Sequence, residues 1–336
     1  PMKRFVSKNL QNSTPAKSSV GGLQAQDKDL AWLNLLVTIL WPRVEDFLKT
    51  AVQERVMPAI DEALPSALRG SVRVDRLSIG KSTPRLGPLS VRLRDDDAIV
   101  IDIGLEFVSD LDVKIRALRI PVGIKAFSFR GTITACLRPS APKPPFFGGM
   151  EIYFINAPEL DIDFTGAADI ADWQVLKGTI HDTIIKGISG AMVVPARMTV
   201  DLIADDAVTE TDLRCPEPVG VLRFVLLAGK DLRADDVGFD FKKSSDPFVK
   251  VDIGQDHWES KVVHGTVCPK WTSGNVADFV VYDREQFVNI RVYDRDQMSS
   301  DDLLGEALRV PLSHFGTGSA FRQASVALTY GGEAAG

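Results

Sequence analysis

The chain has 336 residues, 45% of them hydrophobic and 25% charged, which is ordinary globular material and enough for about two domains, each with its own core. Its net charge of −6, with no basic stripe to neutralise phosphates, argues against a nucleic-acid partner and suits a protein that receives cations. Three cysteines, Cys136, Cys215 and Cys268, are too few and too scattered for a disulfide framework and fit a reducing, cytosol-facing compartment.

Residues 1–27 are polar, basic at Lys3, Arg4, Lys8 and Lys17, and without apolar periodicity, so they read as a flexible leader. A chain that opens on Pro-Met leaves open a fragment with an anchor upstream. The longest apolar run, residues 30–41, has twelve residues and is interrupted by Asn34 and Thr38. A membrane span needs about 20. From 29 to 64 the apolar positions recur at helical spacing (Leu33, Leu36, Val37, Leu40, then Val44, Phe47, Leu48, Val52, Val56, Ile60), and Pro42 is placed to divide two consecutive amphipathic helices.

After Gly70 the period becomes two. Ile99, Ile101, Ile103, Leu105 and Phe107 share one face of a strand, and Phe127, Phe129, Ile133, Ala135 and Leu137 share one face of another, the pattern of half-buried antiparallel strands. The Pro/Gly-rich stretch 141–149 is a loop, and 173–192 returns to helical spacing through Leu176, Ile180, Ile184 and Ile188. One α+β domain is therefore expected over residues 28–205. Residues 206–218 are polar and proline-ended with little to bury, as a linker would be. Short strand-like runs separated by Gly, Pro and Asp turns then predict a β-sandwich over 219–330, with 331–336 as a tail.

Two acidic loops of this second domain pose a charge problem. "VYDRDQMSSDDLLGEA" brings Asp294, Asp296, Asp301 and Asp302 close together, and "RADDVGFDFKKSSDPFVKV" adds Asp235, Asp236, Asp240 and Asp246. A like-charge pair at close range costs about 1 kcal/mol in water and about 4 at an effective dielectric near 20. A calcium ion, which takes six to eight oxygen ligands, would relieve that repulsion if both loops sat at one end of a rigid sandwich. "SDPFVKV", "TVCPKWTSG" and the D-x-D and D-x-LG patterns of the later loop closely resemble a calcium-binding C2 domain across nearly all of 219–330. That resemblance makes Asp246, Asp294, Asp296 and Asp302 ligands by motif position. The first ligand stays open between Asp240, which the commonest C2 spacing selects, and Asp235 or Asp236, which a longer basic loop would select; Asp301 is a further candidate. Phe241 and Met298 are apolar residues at the loop tips, placed to enter an anionic membrane once calcium cancels the local charge.

The chain shows none of the motifs that enzyme chemistry would require: no metal-ligand spacing around His181, His257, His264 or His314, no G-x-S-x-G elbow and no phosphate-cradling glycine loop. An enzyme is not expected. "LAWLNLLVTILWPRVEDFL", "LSIGKSTPRLGPLSV", "ELDIDFTG" and "VVPARMTVDL" instead look like the SMP domain of extended synaptotagmins and tricalbins, in order and over nearly its full length. The resemblance implies a tubular lipid-binding (TULIP) fold, in which a twisted antiparallel sheet and a long helix enclose an apolar groove. It further implies transfer of glycerophospholipids, and tethering, by a homodimer at contact sites between endoplasmic reticulum and plasma membrane. Ile101, Ile103, Leu105, Phe127, Phe129 and Ile133 are the expected lining. The apolar strand faces would suit a solid core equally well. A calcium-dependent tether without lipid transfer, or a C2-bearing lipid hydrolase, are the rival readings. This chain shows neither the hydrophobic hairpin nor the further C2 domains usual in that family.

Overall fold

The computed structural model describes residues 23–25, 30–64, 69, 72–78, 80–94, 97–109, 112–117, 120–139, 144–166, 173–203, 210–233, 236–237, 243–295, 301–316, 318 and 321–336. Two compact units result, one including Pro216–Gly336 and the other Ser18–Cys215.

In the Ser18–Cys215 unit the described strands are β1 (Leu23–Ala25), β2 (Val72–Ser78), β3 (Arg85–Leu93), β4 (Ile99–Ser109), β5 (Asp112–Ala117), β6 (Ile120–Pro139), β7 (Phe147–Phe154), β8 (Glu159–Gly166) and β9 (Met198–Asp201). They form a single antiparallel sheet in the order β1-β3-β4-β6-β5-β2, with β7 and β8 also paired to β6 and β9 paired to β7. The 20-residue β6 is the hub: it pairs β4 on one side, and β8 and then β7 on the other. Period-two alternation makes this possible, because it gives each strand one apolar face to bury.

The helices are α1 (Ala31–Ala51), α2 (Met57–Ala63), α3 (Trp173–Met192) and α4 (Glu210–Arg214). Two expectations are corrected. Pro42 does not divide two helices; α1 runs through it, and the irregularity comes ten residues later as a π-helical turn, Val52–Val56, leading into α2. Proline removes one helical hydrogen bond, and this one sits on an exposed position of a helix anchored to the sheet on either side of it by Asn34 and Leu48. The stretch expected to be a linker with little to bury contains α4, whose Leu213 is fully buried. A Cβ on Gly149 of β7 would come within 2.6 Å of the Leu213 side chain, so glycine there is what admits α4.

The face of β7 that meets α4 also carries the buried Glu151, held by Arg138 at 2.5 Å and by Arg197, whose guanidinium lies 4.8 Å over the Tyr153 ring. The two arginines compensate a carboxylate that burial alone would penalise heavily. They join β6, β7 and the segment leading into β9.

The second unit is a β-sandwich. One sheet pairs β10 (Gly220–Val225) with β15 (Val276–Val281); the other runs β14 (Asp256–Glu259), β13 (Pro247–Ile253), β16 (Phe287–Asp294), β17 (Asp302–Pro311), β18 (Thr329–Tyr330) and β19 (Glu333–Ala334). A small hairpin joins β11 (Asp236–Val237) to β12 (Lys243–Ser244). Phe224 and Phe279 from the first sheet meet Val249, Val251, Ile253, Val288, Ile290, Val292 and Leu304 from the second in one continuous core. Every second residue of β13 and β16 feeds that core, as the sequence period requires.

Candidate functional site

Each unit carries a candidate site. In the sandwich, three of the expected ligands meet at one end of the larger sheet. Pro247, which follows Asp246, lies directly opposite Asp294, and Asp294 lies directly opposite Asp302. Asp294 continues the inward parity of Val288, Ile290 and Val292, so its carboxyl enters the protein at the strand's end and is 3% exposed. Asp294 Oδ1 accepts the Asp246 backbone N–H at 2.6 Å, and the Arg295 N–H donates back to the Asp246 carbonyl at 3.0 Å. The two loops are therefore cross-braced through the aspartates themselves.

The Asp246 carboxylate accepts His264 Nδ1 at 2.8 Å through Oδ2 and the Gly265 N–H at 2.8 Å through Oδ1. The His264 hydrogen bond, followed by the Gly265 N–H, holds the Asp246 carboxyl below the usual carboxylate range against a partial desolvation. Asp302 is exposed, whereas Asp301 is occupied by Arg295 Nη1 at 3.2 Å. Arg295 also reaches Glu259 at 2.5 Å and stacks 3.9 Å over Phe248, tying the acidic end to the outer face of β13.

Asp235, Asp240, Phe241, Asp296 and Met298 lie outside the described residues, and of Asp236 only its backbone pairing with Ser244 is described. Among the described residues no group of three or more His, Cys, Asp or Glu side chains is close enough to hold a metal. Asp294 faces Asp302 directly and faces Pro247, the neighbour of Asp246, so the three carboxylates share one end of the sheet, and carboxylate oxygens are the donor type a hard cation takes. His264 and Arg295 are the participants that sequence reasoning missed. Arg295 lies inside the D-x-D pattern but is not acidic, and His264 reaches Asp246 from a loop eighteen residues further along the chain.

In the other unit the six expected lining residues fall on one sheet face. Ile101 is opposite Ala135, Ile103 opposite Ile133, Leu105 opposite Gly131, and Phe107 opposite Phe129, with Phe127 one pair further along. The same face continues into Val91 and Leu89 on β3, Phe154 and Ile152 on β7, and Leu160 and Ile162 on β8. Ile101, Ile103, Leu105, Phe127, Phe129 and Ile133 are all half-buried, where a close-packed core would bury them.

The buried clusters lie beside this stretch. Trp41 and Phe107 form one, with Leu48, Phe127 and Phe129 around it. Ile60, Leu64, Val113 and Ile180 form another, with Ile124, Ile162 and Phe164 packed against it. Neither includes Ile101, Ile103, Leu105 or Ile133. Gly131 leaves room for Phe154, since a Cβ there would stand 3.1 Å from that ring. Trp41 and Phe107, which belong to this aromatic wall, were legible as apolar positions but not as its buried members.

A continuous antiparallel sheet with one half-buried apolar face, packed in part by the long helix α1, followed by a β-sandwich with an acidic end, defines a TULIP-type domain joined to a C2 sandwich. Residues 27–203 match the family model for the synaptotagmin-like mitochondrial-lipid-binding domain, and the chain belongs to that family; residues 220–324 match the C2 domain. Among curated proteins the chain is similar to extended synaptotagmin-2 of Mus musculus, at 29% identity over 82% of this chain and 33% of the relative. It is also similar to extended synaptotagmin-2-A of Xenopus laevis, at 30% identity over 82% of this chain and 32% of the relative. The chain thus spans about a third of the length of the curated relatives it matches. A solved structure of extended synaptotagmin 2, containing its SMP domain and two C2 domains, aligns with a TM-score of 0.53 and 26% identity over 84% of this chain and 58% of that one.

Proposed function

We propose that this chain carries glycerophospholipids, and tethers membranes, at contact sites between endoplasmic reticulum and plasma membrane, under calcium control. The observation that carries the reading is the half-buried apolar face of β4 and β6, continuous across β3, β7 and β8. Apolar surface of that extent is stabilised by about 25 cal/mol per Å² when covered, and acyl chains would cover it. The lipid-carrying domain is assigned to residues 28–205 and works as a homodimer; the C2 domain is assigned to 219–330.

Asp246, Asp294, Asp296 and Asp302 would hold calcium, with Asp240 as the fifth ligand in preference to Asp235 or Asp236. When bound, the ion would supply positive charge that offsets the acidic end and attracts anionic headgroups. His264 would give up its hydrogen bond to Asp246 as calcium enters, while the Asp246 N–H keeps Asp294 in place. Phe241 and Met298 would then enter the membrane interface.

The test is transfer of fluorescent phosphatidylethanolamine between phosphatidylserine-containing vesicles, in calcium and in chelator. Transfer that rises with calcium, and loses that rise with Asp294→Asn, is the expected result. Vesicle clustering in calcium without any transfer would leave a tether and overturn the carrier reading. Release of fatty acid or headgroup from the phospholipid would make the protein a hydrolase instead.

A further inference from the structure

Trp41 holds a buried donor with no acceptor. It is the buried residue of α1, 7% exposed on the side that meets the sheet. Its ring stands edge-on to Phe107 at 5.1 Å, Phe107 stands edge-on to Phe127 at 6.0 Å, and Leu48 and Phe129 pack against the pair. All four neighbours are hydrocarbon at their side chains, and Trp41 Nε1 has no hydrogen-bond partner among the described residues.

Buried N–H groups are almost always bonded, so such an orphan in a native protein calls for an explanation. Asn34 and Thr38, the polar side chains in the two turns before it, already have theirs. Asn34 Nδ2 donates to the Leu86 carbonyl at 2.9 Å, Asn34 Oδ1 accepts the Leu86 N–H at 2.8 Å, and Thr38 Oγ1 donates to the Asn34 carbonyl at 2.9 Å. Trp41 Nε1 is the buried donor of α1 left without a partner among the described residues.

We infer that the Trp41 indole N–H is the polar anchor of the apolar trough and donates to an ester carbonyl oxygen of a bound diacyl glycerolipid. The inference rests on the carrier reading above. It selects an ester because the acceptor must be neutral. A phosphate or a fatty-acid carboxylate would have to shed its water among Phe107, Phe127 and Phe129 with a single N–H in return. A bare hydrocarbon offers no acceptor at all. The ester stands at the junction of acyl chains and headgroup, so a carbonyl at Trp41 lets the chains lie on the neighbouring strand face of Leu105, Ile103 and Ile101 while the headgroup stays in water.

The experiment compares dioleoylphosphatidylcholine with its dialkyl ether analogue, which has the same chains and headgroup but lacks both carbonyls. The full chain is expected to bind the ester lipid about tenfold more tightly, a difference of about 1.4 kcal/mol. Trp41→Phe keeps the ring against Phe107 and removes the N–H, so it should bind both lipids equally and hold the ether lipid as the parent does. In ¹⁵N–¹H spectra, the indole resonance that Trp41→Phe deletes should move downfield on loading with the ester lipid and not with the ether.

Two results overturn the inference while leaving the carrier reading intact: a parent that binds both lipids equally, or a Trp41→Phe protein that still prefers the ester. Binding of neither lipid by the parent would overturn both. Should Trp41→Phe fail to fold, the parent's ester-to-ether ratio decides alone.

Discussion

Asp294, the proposed ligand at the end of β16, is also tied into the fold. Its parity on β16 places it inward, its carboxylate accepts the Asp246 N–H, and its backbone faces Asp302. Asparagine keeps an acceptor for that N–H, so Asp294→Asn should melt near the parent temperature without calcium and lose most of the calcium-induced rise. Alanine strands the Asp246 N–H and should cost about 1–3 kcal/mol even without calcium. Melting curves of both variants with and without the ion check this; equal calcium shifts in parent and Asp294→Asn would remove Asp294 from the ligand set.

The neighbouring Asp246 gives a pH expectation. Its folded carboxyl is held low, first by His264 and then by the Gly265 N–H, so its contribution to stability is full above the unfolded value of about 3.9 and is lost as pH falls through the lower folded value. His264→Ala should raise the Asp246 titration toward its ordinary position in an NMR titration. An unmoved midpoint would mean that the hydrogen bond is not what depresses it.

At the level of elements, alternation announced β4 and β6 and the shared face of Ile101, Ile103, Leu105, Phe127, Phe129 and Ile133, because a period of two assigns a face once a strand exists. It could not announce that the face stays half-buried. That depends on where the helices rest, and the helices rest on Phe107, Phe127 and Phe129 and on the Val113–Ile180 end. Pro42 and Leu213 mark the other limits of local reading. Proline suggests a break that tertiary contacts override, and an isolated leucine in a polar run conceals a buried contact with Gly149. That Asp246, Asp294 and Asp302 share one end of the sandwich was legible from the two acidic loops. His264, which joins them only through folding, was not, and the pairing of Arg295 with Asp301 and Glu259 was not either.

An element-level expectation follows from the half-buried face. Ile103→Trp places a large ring where the sheet is not close-packed, so the protein should melt within about 1 kcal/mol of the parent while losing lipid transfer. In a filled core, overpacking would instead cost about 1–3 kcal/mol. Measuring melting and transfer on the same preparation separates the two, and a marked loss of stability with transfer unchanged would contradict the trough.

On the scale of the whole molecule, Ser18–Cys215 and Pro216–Gly336 have separate sheets and separate cores. Calcium that binds only the folded sandwich stabilises it by RT ln(1 + [L]/Kd) and gives nothing directly to the other unit. Calorimetry should therefore resolve two transitions, of which calcium raises one, and the same transition should move when the sandwich is expressed alone. A uniform shift of both would mean that the units unfold together.

The measurement that tests the central claim most directly is native mass spectrometry of the full chain purified without detergent. A population heavier than the polypeptide by the mass of intact glycerophospholipid, released as such on activation and reduced by Ile103→Trp, is what the half-buried face of β4 and β6 leads us to expect. A bare polypeptide that also takes up no phospholipid from vesicles would contradict it.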